Sequence, residues 1–268
     1  MSGFAAAAAL VVLGWLALHI VLRRSAETDV VAHRGAAGEA PENTLAAVRA
    51  GTESGAGYLE IDTRRSADRA FVVIHDATVD RTTDGSGQVA AMTTSQLRAL
   101  DAGGWFAPSF AGERIPLLAE VLENLVDWDG GLVVEVKDPE MNAEVGEQLV
   151  AELQAGPFHR ILLVSFDHEW LRLFRGLLPS APSGELSIYP WPLPDGSTVE
   201  LVGVFWLAPI LDPTLVWRAH RRGLEIWVWT TDHPWLIRLV HWLGVDGVTT
   251  NFPGRANRLL RQSAGRSR

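Results

Sequence analysis

Two segments carry charged residues two positions apart at the end of an apolar run: Glu60-Ile61-Asp62 and Glu135-Val136-Lys137. On a strand, that spacing points both side chains of a pair to one side. Glu60, Asp62 and Glu135 brought together would repel one another unless a cation sat between them. Oxygen ligands in a chain without cysteine favour Mg²⁺ or Ca²⁺ over zinc. A lone Glu-x-Asp is more often a solvated face paired with arginines. Its repetition on a second run, beside histidine, reverses that reading. His33 follows Val30-Val31-Ala32, and His75 follows Val72-Val73-Ile74. Two imidazoles so placed can divide acid and base work near neutral pH. Arg34 and Lys137 add positive charge, so the set suits an anionic phosphoryl substrate. His159, His168, His220, His233 and His241 end no such run and read as packed or surface residues; His19 lies in an apolar N-terminal stretch. Of the 23 basic residues, Lys137 is the only lysine. Codon bias accounts for the missing lysines but not for the one that stands on a Glu-x-Lys strand end.

These residues need a scaffold that delivers strand ends to one face. The strand-like runs are Val30–His33, Tyr58–Asp62, Leu132–Val136, Ile161–Ser165, Glu185–Ile188, Val202–Trp206, Glu225–Trp229 and Gly247–Thr250. Helical spacing is clearest over Thr44–Ala50, Ala143–Leu153, Asp167–Leu177, Thr214–His220, Pro234–Leu243 and Arg255–Leu260, with Asp167 and Asp212 as candidate N-caps. Eight strands alternating with helices fit a (β/α)8 TIM barrel, whose sites lie at the C-terminal ends of the strands. A doubly wound sheet is the alternative, but no Gly-x-Gly-x-x-Gly follows a strand. Phe71–His75 follows the second run too closely for a helical crossover and should form an antiparallel hairpin with it, centred near Ala67–Asp68, with Glu60 roughly opposite His75. Asp76–Glu113, polar and glycine-rich, reads as a small inserted subdomain. Seven of the 11 tryptophans lie between Trp191 and Trp242, which suggests core packing, with Trp229 at a strand end as the exception.

The chain has 268 residues, a net charge of −9 and no cysteine. Disulfide frameworks, thiol nucleophiles and iron–sulfur sites are excluded, and the acidic balance argues against nucleic acid as a partner. Gly3 to Leu22 carries no formal charge and is long enough as a helix to span about 30 Å. No basic residue precedes it and Arg23-Arg24 ends it, so residues 1–24 read as a retained single-pass anchor rather than a cleaved signal, with residues 25–268 as the barrel. The two arginines place the catalytic domain on the cytoplasmic side of a membrane. Without 1–24 the charge is −11, so an anchor rather than the domain's net field would hold it at anionic lipid.

The ordered motifs resemble the glycerophosphodiester phosphodiesterase family of the phosphatidylinositol-phospholipase-C-like barrels. They are His33-Arg34-Gly35, Pro41-Glu42-Asn43-Thr44, Glu60-Ile61-Asp62, His75-Asp76, Asp80-Arg81-Thr82-Thr83 with Gly85-Ser86-Gly87, Ile115-Pro116-Leu117-Leu118, Glu135-Val136-Lys137, Trp229-Thr230 and Gly244-Val245-Asp246-Gly247. The resemblance implies that Glu60, Asp62 and Glu135 hold a divalent cation, Ca²⁺ or Mg²⁺, that His33 and His75 are the acid–base pair, and that Arg34 and Lys137 bind phosphate. It implies hydrolysis of a glycerophosphodiester to glycerol 3-phosphate and an alcohol, with Trp229 packing on glycerol or on a cationic head group. Three positions depart from the family pattern. Asn251 stands where Asp is usual, Asp232 where Asn is usual, and Asp68-Arg69 where Asp-Gly is common in the hairpin turn. A lysophospholipase D-type activity on lysophospholipids is the nearest alternative, and a catalytically silent head-group-binding barrel is the alternative of another class.

Overall fold

The computed structural model describes residues 2–22, 27–138, 142–156, 158 and 160–264, without the side chains of 2–9, 11, 12, 263 and 264. Its strands are β1 (Asp29–Ala32), β2 (Tyr58–Arg65), β3 (Phe71–Val73), β4 (Gly131–Val136), β5 (Ile161–Ser165), β6 (Ser183–Ser187), β7 (Leu201–Phe205), β8 (Glu225–Trp229) and β9 (Gly247–Thr250). The helices are α1 (Ser2–Leu22), α2 (Leu45–Glu53), α3 (Thr94–Arg98), α4 (Leu118–Asn124), α5 (Ala143–Ala155), α6 (His168–Leu177), α7 (Ala208–Leu211), α8 (Leu215–His220), α9 (Pro234–Trp242) and α10 (Pro253–Ala264).

All strands except β3 run parallel, each to the next, and β1 pairs with both β9 and β2, so the sheet closes as a (β/α)8 barrel. Pleating divides each strand between two cores. Leu59 and Ile61 of β2, and Leu132 and Val134 of β4, point outward into the layer shared with the helices. Val31, Val133, Leu162, Val164, Leu201 and Trp227 point inward and fill the barrel. Glu60, Asp62 and Glu135 have the inward parity of Tyr58 and Val133, one or two steps nearer the C-terminal rim. The β2–β4 register puts Asp62 beside Glu135.

The β2–β3 hairpin is centred on Asp68, as expected, but its pairing is offset by one from a Glu60–His75 match: Thr63 pairs with Val73, and Ile74 N–H donates to Asp62 O at 3.0 Å. Ladder pairing ends there, so His75 leaves the sheet instead of facing Glu60 across it. The turn holds Arg69 at φ +68°, the left-handed region where glycine is favoured. After His75, residues 76–113 form one helix and two 3-10 turns over their own small core, in which Val79, Val89, Leu97 and Ala102 pack on Val72 and Ile74.

Asp167 caps α6 by accepting from the N–H of Glu169 and Trp170. Asp212 does not take the N-cap position of α8: it ends α7, and although it accepts the Thr214 N–H at 2.9 Å, regular helix begins only at Leu215, with Thr214 at the N-cap and no side-chain cap bond from it. The tryptophan expectation is also corrected, since Trp191, Trp217 and Trp235 are exposed.

The expected N-terminal anchor is not supported: among the described residues no helix is long and apolar enough to cross a membrane. Trp15 of α1 donates to the carbonyl of Ile210 at 2.9 Å, and His19 is buried with its ring 6.0 Å from that of Trp242, so the last turns of α1 pack on the barrel. Arg23 and Arg24, on which the orientation rests, lie outside the described residues, as does His159.

Candidate active site

A pocket of about 260 Å³ opens at the C-terminal end of the barrel and is lined by His33, Arg34, Glu60, His75, Glu135, Lys137 and Trp229. Asp62 is buried just below them, and ligand oxygens of Glu60, Asp62 and Glu135 all lie within 4.8 Å of one another. Every residue singled out from the sequence therefore falls at one rim. A larger cavity, about 540 Å³, opens at the other end between Tyr58, Leu162, Leu201 and Trp227. It has neither the paired histidines nor the carboxylate cluster, so the smaller one is the candidate active site.

The turn after β1 is built for close approach. Arg34 has φ +51° and Gly35 φ +85°, and a Cβ on Gly35 would lie 2.5 Å from the Ala47 carbonyl carbon. Only glycine fits there. The turn lets Arg34 N–H donate to Glu60 Oε2 at 2.8 Å while the guanidinium reaches Glu42 at 2.7 Å and Asp62 at 3.3 Å. Lys137 Nζ lies 2.6 Å from Glu135 and 3.4 Å from Asp62.

Burial, then the charges of Asp62 and Glu135, push the Glu60 carboxyl well above its usual pKa. Glu135 is raised by burial and by Asp62. Burial alone would also raise Asp62, but Lys137 and Arg34 overcome it and hold that carboxylate below its usual range. Three carboxylates thus share two cations, one of which is also engaged by Glu42. A hard divalent cation would relieve the imbalance, so the donor set fits one.

The two histidines differ in what holds them. His33 Nδ1 lies 2.7 Å from the amide oxygen of Asn251. Burial, then Arg34, push its pKa down to about 4, so the ring is neutral near pH 7. His75 Nδ1 lies 2.7 Å from the carboxylate of Asp76, which Arg81 braces at 2.6 Å. Burial lowers His75 as well, but Asp62 and Asp76 oppose it, so this ring is the better proton carrier of the two.

Several supporting residues were not singled out from the sequence. Asn43, at φ +59°, donates to Asp62 at 2.9 Å and accepts the Asp62 N–H. Arg81, delivered by the insertion, also clamps Glu42 through both terminal nitrogens, joining the Arg34 and His75 arms. Arg64 donates to the carbonyls of His75 and Lys137 and ties those two segments together. Asn43, Asp76 and Arg81 stand inside recognised motifs, which was the available signal. Arg64 had none.

The opposite wall is apolar: Val164, Phe166, Leu186, Leu201, Gly203, Trp227 and Trp229 line it. The Trp229 ring meets Phe166 edge-on at 5.7 Å and Phe205 at 5.8 Å.

The glycerophosphoryl diester phosphodiesterase family matches residues 33–255, from the first site histidine into α10. The chain belongs to this family. It is 35% identical over 242 residues to the glycerophosphodiester phosphodiesterase of Caldanaerobacter subterraneus subsp. tengcongensis, covering 88% of this chain and 99% of that one. It is 30% identical over 245 residues to that of Bacillus subtilis, covering 83% of each. Among solved structures, a phosphodiesterase of Oleispira antarctica in complex with the product sn-glycerol-3-phosphate superposes with a TM-score of 0.82 at 27% identity, covering 87% of this chain and 96% of that one. The glycerophosphodiester phosphodiesterase of Agrobacterium tumefaciens superposes at 0.74 and 30% identity, covering 87% and 100%. The protein is therefore a phosphodiesterase of the glycerophosphodiester phosphodiesterase family, which sets aside the catalytically silent barrel.

Proposed function

We propose that the protein hydrolyses glycerophosphodiesters to glycerol 3-phosphate and an alcohol, with His33 as general base and His75 as general acid. The observation that carries this division is the unequal pair of Nδ1 partners, an amide for His33 and a carboxylate for His75. A neutral His33 has a lone pair on Nε2 to take the proton of the attacking water or glycerol hydroxyl. His75, whose cation the Asp76 carboxylate favours, passes its proton to the oxygen of the departing alcohol as the P–O bond breaks. Arg34 and Lys137 stabilise the charge that builds on the non-bridging oxygens. Glu60, Asp62 and Glu135 would hold Ca²⁺ or Mg²⁺, which when bound supplies further positive charge beside the phosphoryl group.

Release of glycerol 3-phosphate from glycerophosphocholine, with Ca²⁺ or Mg²⁺ and then with a chelator, tests the reading. We expect turnover that the chelator abolishes and the cation restores; no release from any glycerophosphodiester would overturn it.

A second reading is lysophospholipase D-type cleavage of lysophospholipids. The apolar wall supports it, because Phe166 at the mouth is 49% exposed and continues inward through Leu186 and Trp229, a path suited to an aliphatic chain. Release of lysophosphatidate from lysophosphatidylcholine tests it. For location, the expectation of a cytoplasmic barrel rests on the Arg23-Arg24 pair alone and not on a membrane-spanning helix; recovery of the whole chain outside the cytoplasm would remove that reading.

A further inference from the structure

We propose that Asp232 is a positioning residue which, acting through Asn251, determines which ring nitrogen of His33 carries the proton. The inference rests on His33 as an acid–base residue, and its geometry lies in the loops after β8 and β9. The Asp232 carboxylate receives three hydrogen bonds. Oδ1 accepts from the Thr250 hydroxyl at 2.9 Å and from the Asn251 backbone N–H at 2.8 Å, and Oδ2 accepts from Asn251 Nδ2 at 2.7 Å.

A carboxylate only accepts, so it fixes the orientation of the Asn251 amide. The NH₂ must face Asp232, and the oxygen must face His33. An amide oxygen also only accepts, so His33 Nδ1 must carry the hydrogen across their 2.7 Å contact. Nε2 is left with its lone pair free. The direction of both bonds follows from the chemistry of Asp232 and not from an assigned amide flip.

The frame around the relay is rigid. His33 N–H donates to Thr250 O at 3.0 Å, and Gly38 N–H to Asn251 O at 2.9 Å. Arg255 donates to the main-chain carbonyl of Asp232. The side chains of Asp232, Asn251 and His33 are therefore held by backbone from β1, β8 and β9 together. His75 needs no such relay because Asp76 contacts it directly. The amide between Asp232 and His33 passes on orientation while keeping the carboxylate off the ring, which suits a base that must stay neutral.

The amide and the carboxylate touch across one hydrogen bond of 2.7 Å, so each can be exchanged for the other without changing the size of either side chain. This yields a test in the full-length chain. In Asp232→Asn, the side-chain oxygen stays with its two donors, the new NH₂ faces Asn251, and the Asn251 amide turns its own NH₂ to His33. The ring proton must then move to Nε2. We expect kcat to fall about 10²-fold, with KM changed less than about threefold. We expect the ¹⁵N shift of His33 Nδ1 to go from protonated to unprotonated character. The double variant Asp232→Asn with Asn251→Asp restores an acceptor to His33 and should recover kcat to within about tenfold of wild type, with Nδ1 protonated again.

A merely structural role for Asp232 would not give rescue by exchange. The proposal is overturned if wild-type Nδ1 is unprotonated, if Asp232→Asn leaves kcat or the tautomer unchanged, or if the exchange is as inactive as the single variant. Should Asp232→Asn fail to fold, the wild-type shifts and the double variant decide. If His33→Ala kept full turnover, His33 would lose its role as base, whereas the tautomer would still be read independently by ¹⁵N shifts.

Discussion

The wall made by β1, β2 and β4 and the wall made by β5 to β8 enclose one pocket with different chemistry. On the first, charged groups from different segments hold one another. Asp62 meets Arg34 from the turn after β1, Asn43 from the following loop and Lys137 from the end of β4. On the second, Val164, Phe166, Leu186 and Trp229 present shape and apolar area. Removing one member of a buried charge network leaves its partners uncompensated, and the cost exceeds that of the lost contact. Removing one apolar side chain costs roughly its own buried area. The two walls should therefore answer substitution on different scales and through different kinetic constants.

The largest effect should come from Glu60→Ala. It deletes a carboxylate from the cluster and frees the Arg34 N–H that Glu60 accepts. We expect turnover to drop on the order of 10³-fold or more, and calorimetric titration to show weaker Ca²⁺ and Mg²⁺ binding. Cation affinity equal to wild type would show that the polar wall is not a metal site.

His33→Ala and His75→Ala should each lower kcat by about 10²–10⁴-fold while cation binding, read by the same titration, is kept. That separation would sharpen the picture of the polar wall as two devices, a carboxylate cluster and a proton relay. Loss of cation binding in either variant would merge them.

The barrel strands were readable because parallel strands covered on both sides appear as short apolar runs, and β5, β8 and β9 end where those runs end. Glu60, Asp62 and Glu135 were readable from pleat parity. What stayed hidden depended on contacts between distant loops. Asp232 and Asn251 looked like two unrelated departures until the β8 and β9 loops brought them to 2.7 Å. Arg81 acts through its reach to Glu42, 39 positions away in the chain. The N-cap at Asp212 failed because helix-start signals do not specify which residue of Asp-Pro-Thr turns first, and the hairpin pairing is offset by one from a Glu60–His75 match because the β2–β3 turn carries no residue pair that fixes register. Trp191, Trp217 and Trp235 were misplaced because an aromatic on a short helix or loop has no periodicity to say which way it faces.

On the apolar wall, Trp229→Ala should leave kcat within about threefold and raise KM for glycerophosphocholine about tenfold, as expected for lost packing of roughly 1–2 kcal/mol. The same variant assayed with lysophosphatidylcholine tells whether this wall serves the glycerol and head group or an acyl chain. A large fall in kcat would instead make Trp229 part of the catalytic wall and dissolve the contrast.

The smallest effect, and the most discriminating, is expected for Lys137→Arg. Arginine keeps the charge, and the rest of the chain uses arginine at every other basic position. A guanidinium is planar and wider than an ammonium, and its charge is spread over three nitrogens. Lys137 Nζ sits as a compact charge 2.6 Å from Glu135 and 3.4 Å from Asp62, inside the carboxylate cluster. An arginine there must either displace the cation or turn outward and leave Asp62 without the partner that most depresses its pKa. We expect a fall in kcat of about tenfold or less, with cation affinity lowered alongside. If the steady-state constants and cation affinity both match wild type, position 137 needs only a positive charge, and the single lysine is an accident of composition rather than a requirement of the polar wall.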